Sequence, residues 1–337
     1  MGSKPSIKGQ KVIEYLEKYP TLPTRTLARM VYENWGNLYK DLEDARAIVN
    51  YYRGTYGNAK RESLADNRFM LPEATETNTF SLPQPARYDW TNYHIPRELT
   101  RGVILGDIHI PYHDRKVLQV IMEHTQWFGA DYIVLNGDIM DCYRLSKFLK
   151  DPSKAYMRDE VDTTRQFLTV LRVCFPDAHI VYKFGNHDDR MYNYLMDKAP
   201  ELWDKDDSVM EVENRLGIPD LGIETVGEKR RIFAGKLAVL HGHEFWQSIN
   251  RQVNPARGLF QKTFSSAVCS HLHQTSEHSE PNIKDELITT WSLGCCSQLH
   301  PEYMPINKWN HGFATMEKTP GGNFKLKNYR IIDGEMV

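Results

Sequence analysis

Acids, histidines and an asparagine gather in five short runs, each set after a stretch of apolar residues. Gly106-Asp107-Ile108-His109 follows Val103–Leu105, and Asn136-Gly137-Asp138-Ile139-Met140-Asp141 follows Ile133–Leu135. Gly185-Asn186-His187-Asp188-Asp189 follows Val181–Phe184, His241-Gly242-His243 follows Ala238–Leu240, and Ser270-His271-Leu272-His273 follows Ala267–Cys269. Carboxylate oxygen and imidazole nitrogen together suit Mn, Fe or Zn better than Ca or Mg. Two such cations a few ångströms apart need a shared anionic ligand, and one carboxylate can bridge them. A pair of that kind lowers the pKa of a bound water and stabilises both the attacking and the leaving oxygen of a phosphoryl group. Glycines before Asp107, Asp138 and Asn186 permit tight turns that bring backbone and ligands close.

Distant runs can meet only if the fold delivers them to one place. Strand-like segments are read at Gly102–Leu105, Tyr132–Leu135, Ile180–Phe184, Leu237–Leu240 and Ser266–Cys269, with helical patterns at Val117–Phe128 and Val161–Val173. That alternation predicts a layered α/β domain, and loops at the carboxyl ends of its strands converge on one crevice. From Leu287 to Ile332 the pattern turns to strands and hairpins, with a turn at Pro320-Gly321-Gly322.

The five runs together resemble the calcineurin-like metallophosphoesterases, whose signature is D-x-H, then G-D-x-x-D, then G-N-H-D or G-N-H-E, then H, then G-H-x-H. The match runs in order from about Gly102 to His273, half the chain. The resemblance implies a sandwich of two mixed β-sheets flanked by helices, with the strand-rich C-terminal stretch in the second sheet. It implies two divalent metal ions, Mn first, with Fe, Zn or Ni as alternatives. Asp107, His109 and His273 would hold one ion, Asn186, His241 and His271 the other, and Asp138 would bridge them. A bridging hydroxide would attack phosphorus, His187 would act as general acid, and Asp141 would orient it, since a carboxylate on one imidazole nitrogen fixes the tautomer. Two departures stand out. Ser270 takes the place of the usual glycine, and Cys142-Tyr143 stands where protein phosphatases carry Arg-Gly, which argues against a Ser/Thr protein phosphatase. Arg144 and Arg190 follow motifs closely and serve two readings equally, a bidentate grip on phosphate or a helix-surface ion pair. His243 is either a substrate contact or a loop histidine. Asp188 and Asp189 are read as bias for the first turn of a helix, His300 and His311 as structural. Trp246, Trp291 and Trp309 can stack on bases, although core packing suits at least two of them.

The chain has 337 residues, 41% apolar and 26% charged, with a formal net charge of -2. That length can bury a core without staples, and a wholly basic nucleic-acid binder is excluded, so any basic surface is local. Five cysteines without C-x-x-C spacing suggest reduced thiols and a cytoplasmic setting. No apolar run of membrane-spanning length appears.

Three zones emerge: a helical domain over 1–57 that admits a helix-turn-helix-like reading, a proline-bearing linker over 58–100, and a catalytic domain over 101–337. Thr24 is expected to cap the second helix and Asn37 the third. Up to Lys60 there are ten Lys and Arg against six Asp and Glu. Arg25, Arg29, Lys40, Arg46 and Arg53 are therefore candidates for phosphate contacts on DNA or RNA, with a helical packing module as the plain alternative. The expected function is a metal-dependent phosphodiesterase or nuclease of a phage-type or repair-nuclease-like branch. The runner-up is a phosphomonoesterase or small-nucleotide phosphodiesterase, and a third reading is an inactive nucleic-acid-binding or interaction module.

Overall fold

The computed structural model describes residues 5–56, 68–70, 83, 90–147, 151, 153–154, 156–200, 212–227, 229–245, 249 and 253–337. The chain divides into two compact units, Met1–Asp89 and Trp90–Val337. Most of the stretch read as linker, and Trp246, lie outside the described residues.

The first unit holds α1 (Ile7–Lys18), α2 (Thr24–Trp35) and α3 (Leu42–Tyr52). Apolar residues at helical spacing, among them Val12, Leu16, Leu27, Val31, Ala45 and Val49, form its core. Ser6 caps α1, its hydroxyl accepting from the Gly9 N–H. Asn37 does not cap α3. It lies in a short 3-10 turn, and Asp41 takes the role by accepting from the Asp44 N–H at 2.8 Å. Thr24 is the first residue of α2 rather than its cap, and its hydroxyl is occupied by Arg53 at 2.8 Å. Arg53 also donates to the carbonyls of Leu22 and Pro20, at 2.5 and 3.3 Å, and is only 3% exposed. The reading of Arg53 as a phosphate contact is thus corrected: the buried guanidinium is taken up by Thr24 and the carbonyls of the α1–α2 turn. Arg46 is half-buried and paired with Glu43 at 3.0 Å, whereas Arg25, Arg29 and Lys40 are exposed.

The second unit opens with β1 (Tyr93–His94), which pairs with a later strand, so the linker reading gives way before residue 93. Then come β2 (Arg101–Leu105), α4 (Arg115–Phe128), β3 (Tyr132–Asn136), α5 (Met157–Cys174), β4 (His179–Lys183), α6 (Arg190–Lys198), α7 (Val212–Leu216) and β5 (Glu224–Val226). After these follow β6 (Ile232–Ala234), β7 (Leu237–Leu240), α8 (Pro255–Thr263), β8 (Ala267–Cys269), β9 (Ser276–Pro281) and β10 (Leu287–Ser292). The chain closes with β11 (His311–Lys318), β12 (Phe324–Ile332) and β13 (Glu335–Met336).

One sheet runs β13-β12-β11-β2-β3-β4-β5 and the other β1-β6-β7-β8-β10-β9, both mixed. The sandwich follows from strand alternation. Val103, Leu105, Ile133 and Leu135 face α4 and α5, while Ile104 and Val134 face Val239, Val268 and Trp291 of the other sheet. On that sheet's far side Leu240 and Cys269 meet Leu259 of α8. Strands buried on both faces need the near-continuous apolar runs seen in the sequence. One expectation is corrected. Of the C-terminal strands, only β10 joins the second sheet, beside β9; β11, β12 and β13 extend the first sheet antiparallel to β2.

Replacing Arg53 with methionine should destabilise the helical unit by about 2 kcal/mol, the scale of hydrogen bonds to a charged donor. Amide hydrogen exchange of the full chain should show loss of protection confined to α1–α3; unchanged protection there would contradict the clamp.

Candidate metal centre

Register brings the five runs together. Leu105 pairs with Leu135 and Leu135 with Tyr182, while Leu240 pairs with Cys269, so each motif loop leaves its sheet beside the next. Asp107 and His241 are fully buried, Asp138 nearly so, and His109 and His273 are 5% exposed. Asp138 Oδ2 lies 3.3 Å from His241 Nε2, 3.8 Å from His109 Nε2 and 3.9 Å from His187 Nε2. Asp107 Oδ1 lies 3.4 Å from His273 Nε2. Among the described residues three sets bring ligand atoms within 4.8 Å of one another: Asp107 with His109 and His273; His109 with Asp138 and His187; and Asp138 with His241 and His271. Asp138 belongs to two of these sets and His109 to two.

The donor set fits divalent cations. His109 Nε2 and His273 Nε2 face each other at 3.2 Å, where at most one hydrogen can lie between them. Asp107 Oδ1, Asn186 Oδ1 and His241 Nε2 are buried with no hydrogen-bond partner. Orphaned buried polar atoms are costly, and here they gather with oxygen and nitrogen lone pairs of the kind that bind Mn, Fe or Zn.

The loops are held in uncommon backbone shapes. Asp107, His109, Asp138, His271 and His273 all take left-handed conformations, with φ of 51, 50, 53, 68 and 55°. Such strain persists only where the surroundings enforce it, and it clusters at functional sites. Close approach explains Gly137 and Gly185: a Cβ would lie 2.3 Å from His241 Nδ1 at the first and 2.2 Å from Asp138 Oδ1 at the second.

Hydrogen bonds lock the loops to one another. The His187 N–H donates to Asp138 Oδ1 at 2.8 Å, and the His271 N–H to Asp107 Oδ2 at 2.7 Å. His241 Nδ1 meets the Asn136 carbonyl at 2.7 Å, which turns Nε2 toward Asp138. Asn136 Nδ2 donates to the Leu240 carbonyl and to Ser270 Oγ, so the serine that departs from the family pattern ties two motif loops together.

Asp188 does more than bias a helix. Fully buried, it accepts from the N–H groups of Asp138, Met140 and Gly185 and from the Tyr182 hydroxyl, all between 2.8 and 3.0 Å. Burial and the charge of Asp138 push its carboxyl upward. Asp141 Oδ1 is shared between His109 Nδ1 at 2.9 Å and His187 Nδ1 at 3.1 Å, so it holds both rings.

Arg190 reaches the centre. It donates to the Asp141 carbonyl at 2.8 Å and sits 3.0 Å from His187 Nε2. A guanidinium only donates, so Nε2 accepts here and Nδ1 carries the hydrogen toward Asp141. The charge of Asp138 works the other way, carrying His187 upward against the penalty of burial; the contact with Arg190 sets the tautomer in this arrangement. Arg144 instead lies over the Tyr156 ring, 4.5 Å from its centroid. His243 Nε2 is 3.6 Å from Asp189 Oδ2, and its ring lies edge-on to His241 at 5.2 Å. Trp291 is core, while Trp309 packs edge-on to His273 at 4.2 Å. His311 bonds the Ser297 carbonyl and His300 the Pro305 carbonyl, both structural contacts.

Beyond the geometry, the family description of calcineurin-like phosphoesterases matches residues 100–292, more than half the chain. The chain belongs to the calcineurin-like phosphoesterase family. It is a metal-dependent phosphoesterase, and its histidine and aspartate clusters form a dinuclear type of site. The Gene 54 proteins of Mycobacterium phages D29 and L5 are each 27% identical over 179 residues, which span 52% of this chain and 69% of theirs. Among solved structures, vacuolar protein sorting 29 from Cryptosporidium parvum is similar at 14% identity, with 71% of this chain and 95% of that one covered and a TM-score of 0.39. The phosphoesterase Yfce from E. coli is similar at 14% identity, 68% and 97% coverage and a TM-score of 0.31. Neither score bears on activity.

Charges in this phosphoesterase set its response to pH. Burial disfavours the imidazolium of His241, but the carboxylate of Asp138 carries it up to about 10; for His273, Asp107 overcomes burial in the same way, to about 10. Burial and the charge of His241 push His271 down to about 3. Without a cation, the neighbouring carboxylates favour a proton on His241 and His273, whereas His271 favours the neutral form. Cations must displace the two protons, so Mn affinity should rise as pH climbs from 6 toward 9. Calorimetric titration in two buffers of different ionisation enthalpy should read proton release; binding with no proton release and no pH dependence would contradict this.

Proposed function

We propose that this phosphoesterase is a phosphodiesterase acting on nucleic acid with two divalent cations, Mn foremost. Asp107, His109 and His273 would hold one cation, Asn186, His241 and His271 the other, with Asp138 between them. A cation pair in such a cage supplies positive charge at the phosphoryl oxygens and a water of lowered pKa.

The chain's own residues complete the chemistry. Arg190 presents donors toward the same cleft as His187, and a guanidinium suits phosphoryl oxygens. When Arg190 turns to a phosphate, His187 Nε2 is released; protonated, it can donate to the leaving oxygen while Asp141 holds Nδ1. His243, beside His241 and Asp189, is the further substrate contact of this reading.

The observation that carries the diester reading is the aromatic rim. Trp309 lies against the ligand His273, and Tyr303, 69% exposed, faces Trp309 at 6.3 Å. Tyr112 and Tyr143 form a second edge-to-face pair at 6.2 Å. One exposed ring, Tyr303, and the half-buried rings of Trp309, Tyr112 and Tyr143 beside a phosphoryl site suit stacked bases. The exposed Arg25, Arg29 and Lys40 of the helical unit add positive charge that supports the same reading.

The purified Mn-loaded protein should hydrolyse bis-p-nitrophenyl phosphate faster than p-nitrophenyl phosphate and should cleave labelled DNA or RNA, with Asp138→Asn inactive on all of them. Fast monoester turnover with polynucleotide left intact would overturn the proposal in favour of a phosphomonoesterase. Replacing His187 with alanine should leave both cations bound and slow turnover by roughly 10²- to 10⁴-fold, most for poor leaving groups; equal losses on good and poor leaving groups would rule out the acid role.

A further inference from the structure

A buried ion pair sits behind one half of the metal centre. Lys183 ends β4, three residues before Asn186, and Glu244 stands three residues after His241. Their side chains are 0% and 8% exposed, and Nζ lies 3.0 Å from Oε1. β4 belongs to the seven-stranded sheet, whereas the Glu244 loop follows β7 of the six-stranded sheet, so the pair spans the sandwich. Glu244 also closes the turn that carries His241, accepting from the His241 N–H at 2.8 Å and the Gly242 N–H at 2.6 Å. Lys183 adds a bond to the Arg230 carbonyl at 2.5 Å. Gly242 has φ of +124°, and a Cβ there would lie 3.1 Å from the Cβ of His271. The turn gripped by Glu244 therefore abuts His271 too.

Removing two charges from water is expensive, and a buried pair persists only where further hydrogen bonds satisfy it. Here Glu244 takes two of those bonds from the backbone of one ligand turn, and Lys183 makes the third to the Arg230 carbonyl. The geometry points to Lys183 and Glu244 as positioning residues for one cation only: they set the Asn186 strand end against the His241–Gly242 turn and so shape the site of Asn186, His241 and His271. None of these bonds reaches Asp107, His109 or His273, so the pair bears directly on one site only. This rests on the proposed division of ligands between two cations.

The test uses the full-length protein as wild type, Lys183→Met, Glu244→Gln and the double variant K183M/E244M. Bound Mn is measured by elemental analysis at stepped free Mn, with electron paramagnetic resonance and a thermal melt on the same samples. Wild type should bind two Mn with a spin-coupled spectrum. The single variants should keep one Mn at wild-type affinity and lose at least tenfold in affinity for the other, and the coupled spectrum should give way to that of isolated Mn. Glu244→Gln, which keeps one acceptor oxygen, should lose less than Lys183→Met. Unchanged affinity at both sites, or equal loss at both, overturns the proposal. If a single variant fails to fold, the double variant is read by the same criteria, since it leaves no buried charge unpaired. Failure of the double variant to fold also overturns it, because the pair would then hold the fold rather than the site. A wild type that binds one Mn would instead sink the two-cation division itself.

Discussion

The carboxylate of Asp138 is buried where the ends of β3, β4 and β7 meet, and the rest of the molecule arranges itself around that charge. Burial opposes its ionisation, but the charge of His241 carries it well below the usual carboxylate range. An anion at that depth must be matched by cations. The neighbouring lone pairs and orphaned oxygens mark where metal charge would meet it.

Holding that charge in place requires strained loops and a stiff support. Five ligand-bearing residues sit in left-handed backbone, a conformation that Asp and His tolerate better than branched side chains do. Asp188 fixes three N–H groups of the Asp138 and Gly185 turns, and Asn136 with Ser270 ties the β3 loop to the second sheet. The sandwich supplies what one sheet cannot. β2, β3 and β4 deliver Asp107, His109, Asp138 and Asn186 from one layer, and β7 and β8 bring His241, His271 and His273 from the other.

Much of the metal centre was legible because its chemistry demands particular residue types directly after buried strands. The apolar runs fixed β2, β3, β4, β7 and β8 to within a residue or two of their observed ends. Long-range partners were harder. Whether β11 lies beside β2 or in the other sheet depends on pairing across some two hundred residues, and period alone carries no such information. Arg53 read as a surface charge because its target, the carbonyls of the α1–α2 turn, exists only once α3 folds back. Asp41 displaced Asn37 as a cap because both are good caps and packing of the short 3-10 turn decided between them. Glu244 and Lys183 belong to no motif, and their meeting across two sheets left no trace in spacing. Asp188 was visible as part of a motif, but its role as a collector of N–H groups follows only from the turns that surround it.

The most direct test of Asp138 as the shared hub is anomalous diffraction from crystals of the protein soaked with Mn. Two peaks are expected, one among Asp107, His109 and His273 and the other among Asn186, His241 and His271, with Asp138 reaching both. A single peak, or two peaks with Asp138 bound to neither, would contradict it.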